Sequence, residues 1–415
     1  MGKNTIANQK KKMAKALKKK AKLSLEALSI PELLVRAQEE IDTYHYENAQ
    51  IYCQEALKRE PDHIRALETS ANLCIEVGNL DGARHCLGRA ITVQPEEGYS
   101  KYLSMAQLME GKEALQCYLK GIELIQRSVS DLQQRQLGEN TANNSNESTN
   151  STCVEMSNEG DDGMAKEVEE RENVPPTASS SSSPESQDHE SSLIRQMSSA
   201  YCSVAELFMT DLCDEEDAEK QCHTHISRAI ETDPNNPEAY QNMASFNLVK
   251  QEMESAKESM AKSLELWLPK HRAIRKGEAS PGTYDPVEIC PLSVSLRLSA
   301  ARILIEVEDY ENAVEVLEGL TEEDDTIVDV WYLLGWTYYL RGEDHRDNAR
   351  YYLHKAMQTH KSEPSADEEL IAHLDELLTE LGPMPNEEEE SDNDAGIEDE
   401  LDSGEEDSNQ AMDVN

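Results

Sequence analysis

Cys213, Cys222, His223 and His225 are the residues of this 415-residue chain whose types come nearest to a metal centre. Thiolate and imidazole ligands would suit zinc, but such sites pair closely spaced ligands at both ends. Here Cys213 stands alone, and Cys222 falls where a helix needs a small residue. Packing for Cys222 and a surface place for the histidines are expected, with no metal. Catalytic signatures are missing as well. There is no G-x-x-x-x-G-K-[ST], no G-x-G-x-x-G after a strand, no H-E-x-x-H and no G-x-S-x-G. No catalytic residue and no cofactor is expected, and the chain is read as a non-enzyme. The side chains left to do chemistry are charges and aromatic rings, whose chemistry is recognition.

The charge is large and uneven. The net charge is −44. Residues 1–22 hold nine lysines and no acid, whereas residues 386–415 hold fourteen acids and no base. Affinity for nucleic acid comes from Lys and Arg on phosphate, so an acidic surface excludes general nucleic-acid binding. It favours a strongly basic partner instead. No run of eighteen apolar residues is present to span a membrane. No apolar stretch follows the basic start as a secretory signal requires. The nine cysteines form no C-x-x-C pair and read as reduced core thiols. Residence in cytoplasm and nucleus is expected. The run KKKMAKALKKKAK fits an import signal, which would engage a nuclear import receptor, or an RNA-contacting arm or a solvated helix end.

The elements that must position these groups come from periodicity. Ala37, Ala49, Ala56 and Pro61 recur 34 residues later as Ala71, Ala83, Ala90 and Pro95. The segment VWYLLGWTYYL places Trp331, Leu334, Gly335 and Tyr338 in the pattern W-x-x-L-G-x-x-Y. Period and pattern are those of the tetratricopeptide repeat, a pair of antiparallel helices. Small residues let helices approach closely, and proline ends the second helix.

The predicted fold is therefore all-α, a tetratricopeptide-repeat superhelical solenoid with a disordered acidic insertion and an acidic C-terminal tail. Residues 1–27 form the basic start, and 28–130 carry repeats one to three. Residues 131–191, rich in Ser, Asn and Glu, are expected to stay unfolded because they cannot bury enough apolar surface. Residues 192–382 carry repeats four to seven and a capping helix near Ala366–Leu381. Residues 383–415 form the tail. Repeat three has a turn about four residues short, around Glu110–Glu113. Repeat four has a long one, DLCDEEDAEK.

Repeat solenoids bind ligands on the concave face, lined by first-helix positions 2, 5, 9 and 12. That phase places Glu238 and Gln241 of repeat five, Arg302 of repeat six, and Tyr332, Trp336 and Tyr339 of repeat seven in a client-binding groove. The three rings would hold the stems of Lys or Arg by cation–π contact, or else pack against repeat six or the capping helix. Repeats that clamp the C-terminal carboxylate of heat-shock chaperones carry Lys and Asn at positions 5 and 9. Repeat one has Leu34 and Gln38, repeat two Glu68 and Asn72, and repeat five Gln241 and Ser245. That clamp is not expected.

The short-turn stretch EGYSKYLSMAQLMEGKEALQCYLKGIEL (97–124) and the long-turn stretch SSAYCSVAELFMTDLCDEEDAEKQCHTHISRAIETDPNNPEA (198–239) add a closer resemblance. With the basic start and acidic end, they resemble the tetratricopeptide-repeat assembly chaperones dedicated to large-subunit ribosomal protein four. The resemblance implies a non-enzymatic escort. It would capture that basic ribosomal protein as newly made client, shield its long basic loop in the concave surface, and support its delivery to nuclear pre-ribosomes. A scaffold repeat protein within a larger multi-subunit assembly is the alternative.

Overall fold

The computed structural model describes residue 25 and residues 27–147, 184–278, 289–362 and 367–382. For residues 136–147 and 184–187 it describes the backbone alone. Helices and turns make up the described residues, without a strand. The Lys-rich start, the centre of the Ser/Asn/Glu-rich tract and the acidic tail lie outside them.

The helices come in pairs. α1 (Ile30–Asp42) and α2 (Tyr46–Arg59) form repeat one, and α3 (Ile64–Glu76) and α4 (Leu80–Val93) form repeat two. Repeat three has a short α5 (Ser100–Ala106) and a long α6 (Gly111–Glu147). Repeat four pairs α7 (Pro184–Met209) with α8 (Ala218–Thr232), and repeat five pairs α9 (Pro237–Val249) with α10 (Met253–Arg275). α11 (Val294–Glu306) and α12 (Tyr310–Glu323) form repeat six. α13 (Val328–Leu340) and α14 (Arg346–Ser362) form repeat seven, followed by the capping helix α15 (Glu368–Leu381). Two compact units result, one up to Leu266 and one from Trp267. The division falls inside α10, not at the Ser/Asn/Glu-rich tract. Helical backbone also runs further into that tract than expected, as far as Glu147 and again from Pro184, so only residues 148–183 of it lie outside the description.

Local sequence explains the ends. Ser29 and Glu32 form a capping box on α1: the Ser29 amide donates to Glu32 Oε2 at 2.7 Å, and the Glu32 amide donates to Ser29 Oγ. Asn236 caps α9 by accepting from the Glu238 amide at 3.0 Å, with Pro237 at the first helical position. Asp367 caps α15 by accepting from the Leu370 amide at 2.9 Å.

Within a pair, one turn recurs. Its left-handed residue is Tyr44 (φ 61°), Gly78 (φ 72°), Gln251 (φ 62°) or Glu308 (φ 65°), each the fifteenth residue counted from the first of its repeat. The next amide reaches back five residues: His45 to Glu40, Asn79 to Cys74, Glu252 to Asn247 and Asp309 to Leu304, all at 2.7–2.8 Å. This Schellman geometry satisfies carbonyls that the helix end would leave open. It offsets the roughly 1–2 kcal/mol that a left-handed conformation costs a non-glycine residue.

The recurring alanines are the contact points. Ala37, Ala49, Ala56, Ala71, Ala83 and Ala90 are fully buried in the first unit, as are Ala301, Ala313, Ala349 and Ala356 in the second. Repeats three and four depart from this regularity together. The short turn before α6 leaves Gly111 (φ 54°) with its amide pointing at the long turn, where Asp211 Oδ2 accepts it at 2.9 Å. Lys112 pairs with Glu215 at 2.8 Å, and Leu212 tucks in, 5% exposed. The two abnormal turns thus close on each other. Farther along the same helices, Gln126 Nε2 donates to the Tyr201 hydroxyl at 2.9 Å, so repeats three and four stack directly.

Gly335 marks the tightest crossing. A Cβ there would stand 2.5 Å from Leu353 Cγ and 3.0 Å from the Leu353 backbone nitrogen. Gly335→Ala would gain about 1 kcal/mol of helix propensity. Overpacking a fixed backbone costs about 1–3 kcal/mol. The expected result is a lower unfolding temperature, by a few degrees, in a thermal melt followed by circular dichroism; an unchanged or raised value would contradict the close approach.

Candidate peptide-binding groove

The first helices of successive repeats present the side chains read as a binding face. Of the six predicted residues, Glu238 and Gln241 belong to the first unit, and Arg302, Tyr332, Trp336 and Tyr339 to the second.

In the second unit the aromatic residues are already engaged. The Tyr332 hydroxyl lies 2.7 Å from His373 Nδ1 on the capping helix, and Trp336 meets the same imidazole edge-on at 4.9 Å. Tyr339 stacks on Trp336 at 5.4 Å and donates to Glu380 Oε1 at 2.7 Å. All three rings pack on α15, the second of the readings that repeat phase left open. Their occupation follows from geometry. α13 opens the last described repeat, so the part of its apolar face that α14 leaves open is covered by α15. Arg302 is half exposed and pairs with Asp329 at 2.8 Å, linking position 9 of repeat six to position 2 of repeat seven. Trp331 and Tyr338 are partly buried and stack on Tyr352 of α14.

The first unit holds a different chemistry. Gln241 is only 2% exposed, so its side chain is not offered to a ligand. Glu238 lies at the start of α9, accepts from the Ser199 hydroxyl at 2.9 Å, and is partly buried. Burial raises its carboxyl from the ordinary 4.5 to about 7; Ser199 opposes the shift and the nearby Glu206 carboxylate adds to it. Glu206, on α7, is also raised by burial, against a hydrogen bond from Asn242. Neither carboxylate makes an ion pair among the described residues. Two half-buried acids with no basic neighbour form a locus of negative potential in low dielectric, where a cation is worth more than on the open surface. Glu206 escaped the sequence reading because the long turn of repeat four breaks the count of positions. Counting backwards along α7 from the start of the DLCDEEDAEK turn, without crossing it, would have been the signal.

Other chemistries find no support here. Cys202 and Cys222 are buried, which pushes both thiols up, that of Cys222 to about 12. Among the described residues no group of three or more His, Cys, Asp or Glu side chains is placed to hold a metal ion. Also among them, no helix is long and apolar enough to cross a membrane.

No protein-family model matches the chain. It is 28% identical over 365 residues to a Schizosaccharomyces pombe protein named "Probable assembly chaperone of rpl4", covering 83% of this chain and 88% of that one. An Emericella nidulans protein of the same name is 36% identical over 129 residues, 31% of this chain and 30% of that one. Among solved structures, "Assembly Chaperone of RpL4 (Acl4) (Residues 1-338)" aligns with a TM-score of 0.57 at 25% identity, over 77% of this chain and 99% of that one. The resemblance carried by the two abnormal turns therefore extends over most of the chain, and the all-α tetratricopeptide-repeat fold is shared with that structure.

The raised Glu238 carboxyl has a thermodynamic consequence. Unfolded, it returns to about 4.5; folded, it titrates near 7. Between these values the folded state holds the extra proton, so this residue's contribution makes stability fall as pH rises through that window. Glu238→Gln should remove that slope and raise stability by about 1–3 kcal/mol at alkaline pH. Urea unfolding of both proteins at acid and alkaline pH measures it; parallel pH profiles would rule the buried carboxyl out.

Proposed function

We propose that the chain is a non-enzymatic assembly chaperone for a newly made, highly basic ribosomal protein, rpl4 by similarity. One observation carries the reading: similarity over 83% of this chain to a protein named as a probable assembly chaperone of rpl4, spanning 88% of that protein. The charge of −44 and the unpaired Glu206–Glu238 locus support it, because both favour a cationic polypeptide.

In this reading the client's basic loop lies against the first-helix face of the repeats. A Lys or Arg of the loop approaches Glu206 and Glu238, and the pair provides the counter-charge it lacks. Binding at that point drives a proton off Glu238, because a neighbouring cation favours the ionised form. The negative field of the whole chain raises the encounter rate and keeps RNA away from the client. The acidic tail (383–415) extends this field. The Lys-rich start engages a nuclear import receptor, so that the pair passes from cytoplasm to nucleus and the client reaches pre-ribosomes.

Purified chain mixed with rpl4 at about 0.15 M salt should give a one-to-one complex whose affinity falls as salt increases. Affinity should also rise from about pH 6 to about pH 8, as Glu238 ionises. Glu206→Lys with Glu238→Lys should weaken binding at least tenfold, while the Trp336→Ala effect should appear in stability. Absence of a complex at physiological salt would overturn the chaperone reading. Unchanged affinity of the double variant would overturn only the placement of the loop.

A further inference from the structure

The closure of the two abnormal turns leaves a cleft of about 580 Å³ between α6, the end of α7, the long turn and α8. Its lining comes from the second helices of repeats three and four, the long turn and Phe208 at the end of α7, and includes neither Glu206 nor Glu238. Its floor is apolar: Leu115 and Leu119 of α6, Phe208 of α7, and Leu212 of the turn. Leu119 is 41% exposed, an unusual position for a leucine beside a ready-made apolar wall. The rim is acidic, with Glu215, Glu216 and Asp217 against Lys112, which already pairs with Glu215.

A polar group sits at the back. His225 is 5% exposed, stacks between Phe208 (6.0 Å, interplanar 6°) and Tyr201 (5.9 Å), and its Nδ1 is buried with no hydrogen-bond partner. Burial, with help from Arg228, lowers its basicity to about 4, so the ring is neutral at physiological pH. A buried ring nitrogen without a partner costs about 1–3 kcal/mol. Packing alone does not call for such a cost at the wall of an open cleft.

We propose that this cleft is a second docking site, for a short polypeptide segment that combines a bulky apolar side chain with flanking Lys or Arg. The apolar side chain fills the space between Leu115, Leu119 and Phe208. The basic flanks meet Glu215, Glu216 and Asp217, and the neutral His225 ring, stacked between Phe208 and Tyr201, closes the back of the site. Charge selects this occupant. The rim repels nucleic acid and anionic lipid headgroups, and a small apolar ligand would leave the rim unused. The site explains why the two turns depart from the standard repeat at the same place: a standard turn in repeat four would supply neither Leu212 nor the Glu215–Asp217 rim. It does not depend on which protein occupies the first-helix face.

A phage-displayed library of random short peptides panned on the full chain tests the proposal. The expected winners pair Phe, Trp or Leu with two or more Lys or Arg. Their affinity, measured by fluorescence polarisation, should fall at least tenfold for Leu119→Glu and again for Glu216→Lys. Both residues are exposed, and circular dichroism confirms that the variants fold. Glu206→Lys should leave the binding unchanged. Winners without this composition, or winners insensitive to Leu119→Glu and Glu216→Lys, overturn the proposal. So does a dimer in sedimentation that Leu119→Glu dissolves, since a second copy of the chain would then be the occupant.

Discussion

Close approach of helix to helix at side chains no larger than a methyl group is the constraint on which the rest of this protein depends. Fully buried alanines recur through both units, and at Gly335 even a methyl is too large. These contacts fix the separation of the two helices in a pair and of one pair from the next. Everything functional is then carried by residues that the contacts leave facing outward. With 29% charged residues and only 5% aromatics, the chain has few large side chains to fill gaps, so packing has to be done by proximity.

The parts of the fold legible in the sequence are those that obey this constraint. Ala37 with Ala71, Ala49 with Ala83, and Trp331 with Gly335 located repeats one, two and seven. The sequence was less informative where composition rather than period set the reading. The tract 131–191 is poor in apolar residues, yet α6 and α7 extend into it from both sides, because a helix with a packed end can propagate outward at little cost per residue. The groove was legible only in part. Phase alone finds which residues face a given side, but not what later chain covers them. Tyr332, Trp336 and Tyr339 are taken by α15. Glu206 was invisible for the opposite reason, since a turn of non-standard length erased its position number.

The electrostatics show the same separation between scaffold and recognition. Several charges of the repeats are matched locally, as in Arg297 with Glu323, where both terminal guanidinium nitrogens reach the carboxylate at 2.6 Å. Such pairs spend their attraction within the chain. Glu206 and Glu238 do not, and they carry an unfavourable burial instead. A protein that keeps two acids partly dehydrated, hydrogen-bonded but without an ion-pair partner, holds free energy that a suitable cation releases. This places the cost of recognition in the unbound state and makes the bound state sensitive to proton concentration as well as to salt.

The left-handed turn residue bears on how such a chain can be lengthened. Its conformation is held by backbone hydrogen bonds, and the Tyr44 side chain there is 79% exposed. The alanine contacts lie on the helices at either side and place no demand on that corner. Extra residues can therefore enter at the corner while the neighbouring pairs keep their spacing. Repeat four is the instance in this molecule: its added residues changed the surface chemistry of the array and left its framework in register.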